Sequence, residues 1–251
     1  TTAPTWQIRG SSPLLTPRAL HVTWPDQTLS ELTVEGQGTF DAYFLQIHTK
    51  IPVPGHNKPI RVGADLRGNG QGLAIKNLRL QHEKTELRTQ GEVKWAPHLS
   101  WYAEVNGTHL NPALLYEDWP GDMAAVFKTS GQLTTRGVNA SLHVTGLQGT
   151  VRRQKIDGTG EVYVENNQLR IPALTLQSGG SSLRIKGNVG DDLGLLLTFD
   201  SPDLTDFWPD ASGRLSANGR FSGSIKKPDI DFKLTGNNLE IAGNKAQKII
   251  L

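Results

Sequence analysis

The sequence predicts an all-β chain: one long, curled antiparallel sheet with an apolar face and a polar face, turned at its corners by one or two single-turn helices. Three observations predict it. Apolar and polar residues alternate with period two along nearly the whole chain, no helical-period segment runs longer than about one turn, and the sequence repeats internally. Period two sends successive side chains to opposite sides of a strand, so each alternating run has one side fit for burial and one fit for water.

The runs follow one another in order. Tyr43, Leu45 and Ile47 share a side, as do Val138, Ala140, Leu142 and Val144, then Ile156, Gly158, Gly160, Val162 and Val164. Leu215, Ala217, Gly219, Phe221, Gly223 and Ile225 form a further row, followed by Ile230, Phe232, Leu234 and Gly236, then Leu239 and Ile241. Clusters of Gly, Asn, Asp and Pro separate the runs, a spacing that gives roughly sixteen to twenty strands. Two stretches read as single helical turns. Asn111-Pro112-Ala113-Leu114-Leu115 has an N-cap residue followed by Pro at the first helical position, and Asp203-Leu204-Thr205-Asp206-Phe207 is a weaker copy. Two such turns cannot cover a large sheet as the helices of an α+β protein would.

The repeat carries the organisation. Leu73, Ile75, Leu78, Leu80, Gln81, Leu87, Arg88, Gly91 and Val93 recur 96 positions later as Leu169, Ile171, Leu174, Leu176, Gln177, Leu183, Arg184, Gly187 and Val189. The match continues with a shrinking offset, pairing Leu110 with Leu204, Trp119-Pro120 with Trp208-Pro209, and Gly131-Gln132-Leu133 with Gly213-Arg214-Leu215. A unit repeated in line points to a quasi-linear array whose members bury their apolar rows against neighbours. We therefore expect residues 1–251 to be a segment of one continuous repeat array, with approximate repeats at 73–168 and 169–251 and a less clear preceding unit at 1–72.

Composition narrows the function. Hydrophobic residues make up 36% of the chain, which limits an ordinary buried core. Lys and Arg are interspersed with Asp and Glu at a net charge of +2, so the basic stripe of a nucleic-acid binder is missing. With no cysteine there is no disulfide framework and no thiolate metal site. The longest apolar stretch, Leu193 to Phe199, falls far short of a membrane-spanning helix. The start at Thr1 and the final Ile249-Ile250-Leu251 lead us to expect a segment of a longer polypeptide, with any membrane anchor outside it.

No catalytic or metal constellation emerges, so an enzyme is not expected, and neither is a cofactor. His21, His48, His56, His82, His98, His109 and His143 lack ligand spacing and read as surface residues. Glu117-Asp118 and Asp191-Asp192 are adjacent carboxylates, which an extended chain points to opposite sides, so both read as turn chemistry. Gly68-Asn69-Gly70-Gln71-Gly72 lacks the Lys of a phosphate-binding loop and reads as a hairpin turn. Of the tryptophans Trp6, Trp24, Trp95, Trp101, Trp119 and Trp208, the last two occupy the repeated Trp-Pro corner and read as structural.

The segment Leu110-Asn111-Pro112, Asp118-Trp119-Pro120-Gly121 and Thr129-Ser130-Gly131-Gln132-Leu133 resembles the inter-repeat corner of the TamB family, within the broader AsmA-like group. Val138 to Gly146, Gly158-Thr159-Gly160, Leu169 to Leu176, Leu183 to Val189 and Trp208-Pro209 follow in that family's order, so the resemblance covers about Leu73 to Leu251. It implies a bridge-like phospholipid transporter of Gram-negative bacteria that is anchored in the inner membrane and crosses the periplasm toward the outer membrane. It also implies partnership with the outer-membrane barrel TamA in autotransporter assembly, through parts of the protein outside this chain.

Physically, a one-sided sheet must curl to keep water off its apolar side. Periodicity alone leaves two outcomes open, a closed core or a U-shaped, taco-like groove; the resemblance implies the groove. Its expected lining is Leu78, Leu80, Leu87, Leu142, Val144, Val162, Val164, Leu174, Leu176, Leu183, Ile185, Leu195, Leu197, Leu215, Phe221, Phe232 and Leu234. An exposed acyl chain costs roughly 0.8 kcal/mol per methylene, so about fourteen carbons meet a barrier on the order of 10 kcal/mol in water that such a groove removes. Two rival readings stand beside it: a scaffold that adds client strands to its sheet edge, and a sugar-binding β-solenoid.

Overall fold

The computed structural model describes residues 4–15, 29–53, 57–114, 116–166, 168–208, 210–241 and 243–250. His21, Trp24, His56, Leu115 and Pro209 lie outside these. Strands account for almost all of the described chain, which divides into two compact units, Thr1–Leu110 and Asn111–Leu251.

The first unit holds β1 (Trp6–Leu15), β2 (Leu29–Thr39), β3 (Ala42–Ile51), β4 (Ile60–Asn69), β5 (Gly72–His82), β6 (Thr85–Lys94) and β7 (Ser100–Leu110). Each strand pairs antiparallel with the next, and among the described residues no pairing closes β7 back onto β1. The Gly-rich stretch between β4 and β5 is the expected hairpin turn. Asn69 makes it by accepting the backbone N–H groups of Gln71 (2.8 Å) and Gly72 (3.0 Å) on its side-chain oxygen.

The second unit holds β8 (Gly121–Thr134), β9 (Gly137–Val151), β10 (Gln154–Glu165), β11 (Gln168–Ser178), β12 (Ser181–Val189), β13 (Leu193–Ser201), β14 (Ala211–Ser224), β15 (Lys227–Ile241) and β16 (Asn244–Ile250). It too is an antiparallel meander that stays open, curled rather than closed into a barrel. The expected helical turns are present as 3-10 turns, Pro112–Leu114 before β8 and Leu204–Asp206 before β14. Their cap residues work as their sequence position requires. The Asn111 side chain accepts from Ala113 N (3.1 Å) and Gly121 N (3.0 Å), and the Asp203 side chain from Thr205 N (3.1 Å).

The β5–β6 and β11–β12 hairpins share a register. Leu73 faces Val93, Ile75 faces Gly91 and Leu80 faces Leu87 in the β5–β6 hairpin. At the same relative positions in β11–β12, Leu169 faces Val189, Ile171 faces Gly187 and Leu176 faces Leu183. Both hairpins carry an irregularity at equivalent points, between Ile75 and Leu78 and between Ile171 and Leu174. The shared glycine is forced: a Cβ on Gly91 would lie 2.1 Å from the Tyr102 carbonyl oxygen, and one on Gly187 would lie 1.8 Å from that of Gly194.

Candidate functional site: a charge-free apolar face

Residues directly opposite one another in an antiparallel pair lie on the same side of the sheet, so the register traces each face from strand to strand. In the second unit one line runs Leu142, Val162 across β9–β10, and its neighbour runs Val144, Gly160, Leu174, Ile185, Leu197, Gly219, Phe232 across β9–β15. A parallel line runs Leu147, Gly158, Leu176, Leu183, Phe199, Ala217, Leu234. Val164 faces Leu169, Leu195 faces Phe221, and Leu215 faces Gly236, so the fourteen expected lining residues of this unit share one side. In the first unit Val62 faces Leu80, Leu80 faces Leu87, and Ala64 faces Leu78, which places the remaining three on one side as well.

None of the seventeen is buried. Fifteen are half-buried, while Leu142 is 38% and Phe232 39% exposed. A fully closed core would bury several of them outright; here each stays partly accessible, even Leu176, Leu183, Leu197 and Leu215, which pack against the buried cluster at one end of the strands. The paired positions of this face across β3–β7 and across β8–β15 include no Asp, Glu, Lys or Arg.

The charges sit on the opposite side. Arg79 and Arg88 both bind the Glu86 carboxylate there, and the Arg88 hydrogen bond, chiefly, holds that carboxyl below its usual pKa. The cluster therefore persists at neutral pH and is lost as pH falls through the lowered pKa. Arg170 lies 4.3 Å over the Tyr163 ring, whose hydroxyl pKa is pushed up by burial and by nearby Glu161.

The buried core of the second unit is small and lies at one end of the strands. Leu204 (1% exposed) and Phe207 (8%), from the turn between β13 and β14, seat against Phe199, Ala211, Ala217 and Leu239, with Leu176, Leu183, Leu197 and Leu215 packed around them. A buried polar network ties that turn down. The Asp206 carboxylate accepts from Gly180 N (2.8 Å) and Ser181 Oγ (2.7 Å), Ser181 Oγ also lies 2.7 Å from Ser201 Oγ, and Ser178 Oγ donates to the Asp206 carbonyl (2.7 Å). Sequence reasoning missed this cover, because its donors and acceptors lie 20 or more residues apart and period two carries no sign of them.

The remaining candidates fall as follows. His48, His98 and His109 are exposed and His143 half-buried, but His82 is buried at 6%, contrary to its surface reading. It occupies the last position of β5, opposite Thr85, where alternation continues the apolar row. Glu117, Asp118, Asp191 and Asp192 are exposed turn residues. Arg152 stacks 4.2 Å over Trp119, and burial lowers its pKa. Trp208 packs on Phe199 and Phe207, so both corner tryptophans are built into the framework. Among the described residues no cluster of three His, Asp or Glu is placed to hold a metal, and no helix is long and apolar enough to cross a membrane.

Within each unit, an antiparallel meander that stays open among the described residues and segregates charge to one side defines a class of β proteins with a continuous apolar face. Within it, the chain belongs to the TamB family: the model described as "TamB, N-terminal domain" matches residues 15–251. The chain is 24% identical over 223 residues to the translocation and assembly module subunit TamB of Haemophilus influenzae, an alignment covering 88% of this chain and 17% of that relative. It thus spans about a sixth of the relative's length. No solved structure matches it.

Proposed function

We propose that this chain carries phospholipid acyl chains along its apolar face, as one stretch of a bridge between the inner and outer membranes. In this reading it works in the periplasm, and the membrane anchor and any contact with TamA belong to other parts of the protein. The observation that carries the reading is the charge-free, half-buried apolar row running without interruption across β8–β15. A peptide laid on such a lining would leave its amides without partners, whereas a hydrocarbon needs none. The expected lining residues are all hydrocarbon, so tails slide rather than being captured at one site. Photoreactive residues at Leu183 or Val162 in cells are expected to form phospholipid adducts. A clean absence of adducts at every position of the row rejects the proposal.

The relative's name also supports a scaffold role in assembly of outer-membrane proteins. The two readings separate by mutation: a scaffold that pairs client strands loses function on proline substitution along β16 and tolerates Leu183→Asp, while a lipid lane is blocked by Leu183→Asp.

A further inference from the structure

The charged side of the first unit departs from its own pattern at one place. Across β1–β4 the register sets Gln7, Gln37, Phe44 and Arg67 in one row on that side. Phe44 is the single hydrocarbon side chain in this row and in the next one, Arg9, Glu35, Gln46 and Asp65, and it is half-buried. The second row is closed on itself, by the Arg9–Glu35 ion pair at 3.0 Å and by Gln46 Nε2 donating to the Asp65 carboxylate at 2.9 Å. The row around Phe44 is not: among the described residues, the exposed side chains of Gln7, Gln37 and Arg67 make no hydrogen bond or ion pair.

That row borders a hollow of about 710 Å³ at the start of β1 and the β2–β3 hairpin. Gln7, Gln37, Phe44 and Arg67 line it, and because it lies where the strands end it also takes Trp6 and Tyr43 from the other side of the sheet. A second hollow of about 210 Å³ shares Gln7, Gln37 and Phe44. The larger volume is that of a small-ligand cleft, roughly 300–1,000 Å³.

We infer that this corner is a carbohydrate site, in which a pyranose unit stacks on the Phe44 ring and places its hydroxyls on the Gln7 and Gln37 amides and the Arg67 guanidinium. The site is separate from the lipid lane proposed above and does not depend on it. Its physical basis is a match of surfaces. A pyranose presents C–H groups on one face and hydroxyls around its edge, each both donor and acceptor. The electron-rich face of a phenyl ring suits the first, and glutamine amides, which donate and accept, suit the second.

Other occupants fit less well. A hydrocarbon would strip water from three polar side chains and return no bond. An isolated phosphate would meet carboxylates just beyond Arg67, where an adjoining hollow of about 280 Å³ carries Asp41 and Glu92, the latter 2.9 Å from Lys94. A neutral ligand rich in hydroxyls suffers neither penalty.

Saturation-transfer NMR of the unmodified chain with cellohexaose and with chitohexaose tests the site. At least one of the two is expected to receive transfer at its ring C–H protons. Phe44→Ala and Arg67→Gln are each expected to weaken that binding by about tenfold, or ~1.4 kcal/mol, while Phe44→Tyr keeps the ring and stays within about threefold of the unmodified chain. Arg67 is exposed, so its substitution reports on the site even where Phe44→Ala disturbs β3. No transfer to either sugar overturns the inference. So does a loss of less than about threefold in Arg67→Gln, or a Phe44→Tyr variant as weak as Phe44→Ala. Each of these failures leaves lipid carriage along the apolar side standing.

Discussion

Ser181 is 1% exposed, and its hydroxyl bridges Ser201 and Asp206, side chains contributed by a neighbouring strand and by the covering turn. Losing it leaves buried Ser201 and half-buried Asp206 each short of a bond, so Ser181→Ala is expected to cost about 1–3 kcal/mol of unfolding free energy. Leu204→Ala removes the most buried apolar side chain of the unit and is expected to cost about 2–5 kcal/mol. Both appear as lowered urea midpoints at unchanged slope; no shift for either would mean the turn is not seated in solution. At this scale the sequence was half legible. Residues such as Leu183 and Phe221 were assignable to a side because alternation is a local property. The Ser178, Ser181, Ser201 and Asp206 network was not, because hydroxyls that meet through tertiary packing look like any others in a strand.

What the β5–β6 and β11–β12 hairpins share is more specific than hydrophobicity. Gly91 and Gly187 take equivalent positions because the neighbouring strand's carbonyl occupies the space of a Cβ, and Gly187 has φ +135°, a left-handed value that L side chains avoid. Gly187→Ala is expected to destabilise by about 1–3 kcal/mol and to loosen β12–β13 first, read as faster amide exchange at Leu195 and Leu197 than in β9–β10. Uniform loss of protection across the unit would show instead that the hairpins do not open separately. The strands and both 3-10 turns were readable from punctuation: Asn69 in its Gly-rich turn, Asn111 before Pro112, Asp203 before Leu204. The seating of Leu204 and Phe207 on the sheet was not, since a single capped turn reads the same whether it lies on an apolar face or in water. His82 failed for a related reason, because a polar residue ending an alternating run gives no sign that the row continues through it.

Across each unit the outcome of alternation is segregation: ionised side chains on one face, hydrocarbon on the other, with the register preserving the division through bulges in β5, β9 and β11. That division sets how an occupant would be held. Attraction between charges weakens as salt rises, with a Debye length of about 10 Å at 0.1 M and ~3 Å at 1 M, whereas burial of methylenes against Leu, Ile and Val does not depend on screening. The family relationship covers residues 15–251, and a lipid lane and an assembly scaffold differ in the physical signature of the contact. Retention of a fluorescent phospholipid by the purified chain is therefore expected to change by less than about twofold between low sodium chloride and 1 M, against the ~10³-fold or larger loss typical of many-charge contacts over a smaller change in salt. A tenfold or greater fall would mean that lipid is held by headgroup charge on the polar face, and that Leu174, Ile185, Leu197 and their row neighbours are packing rather than path.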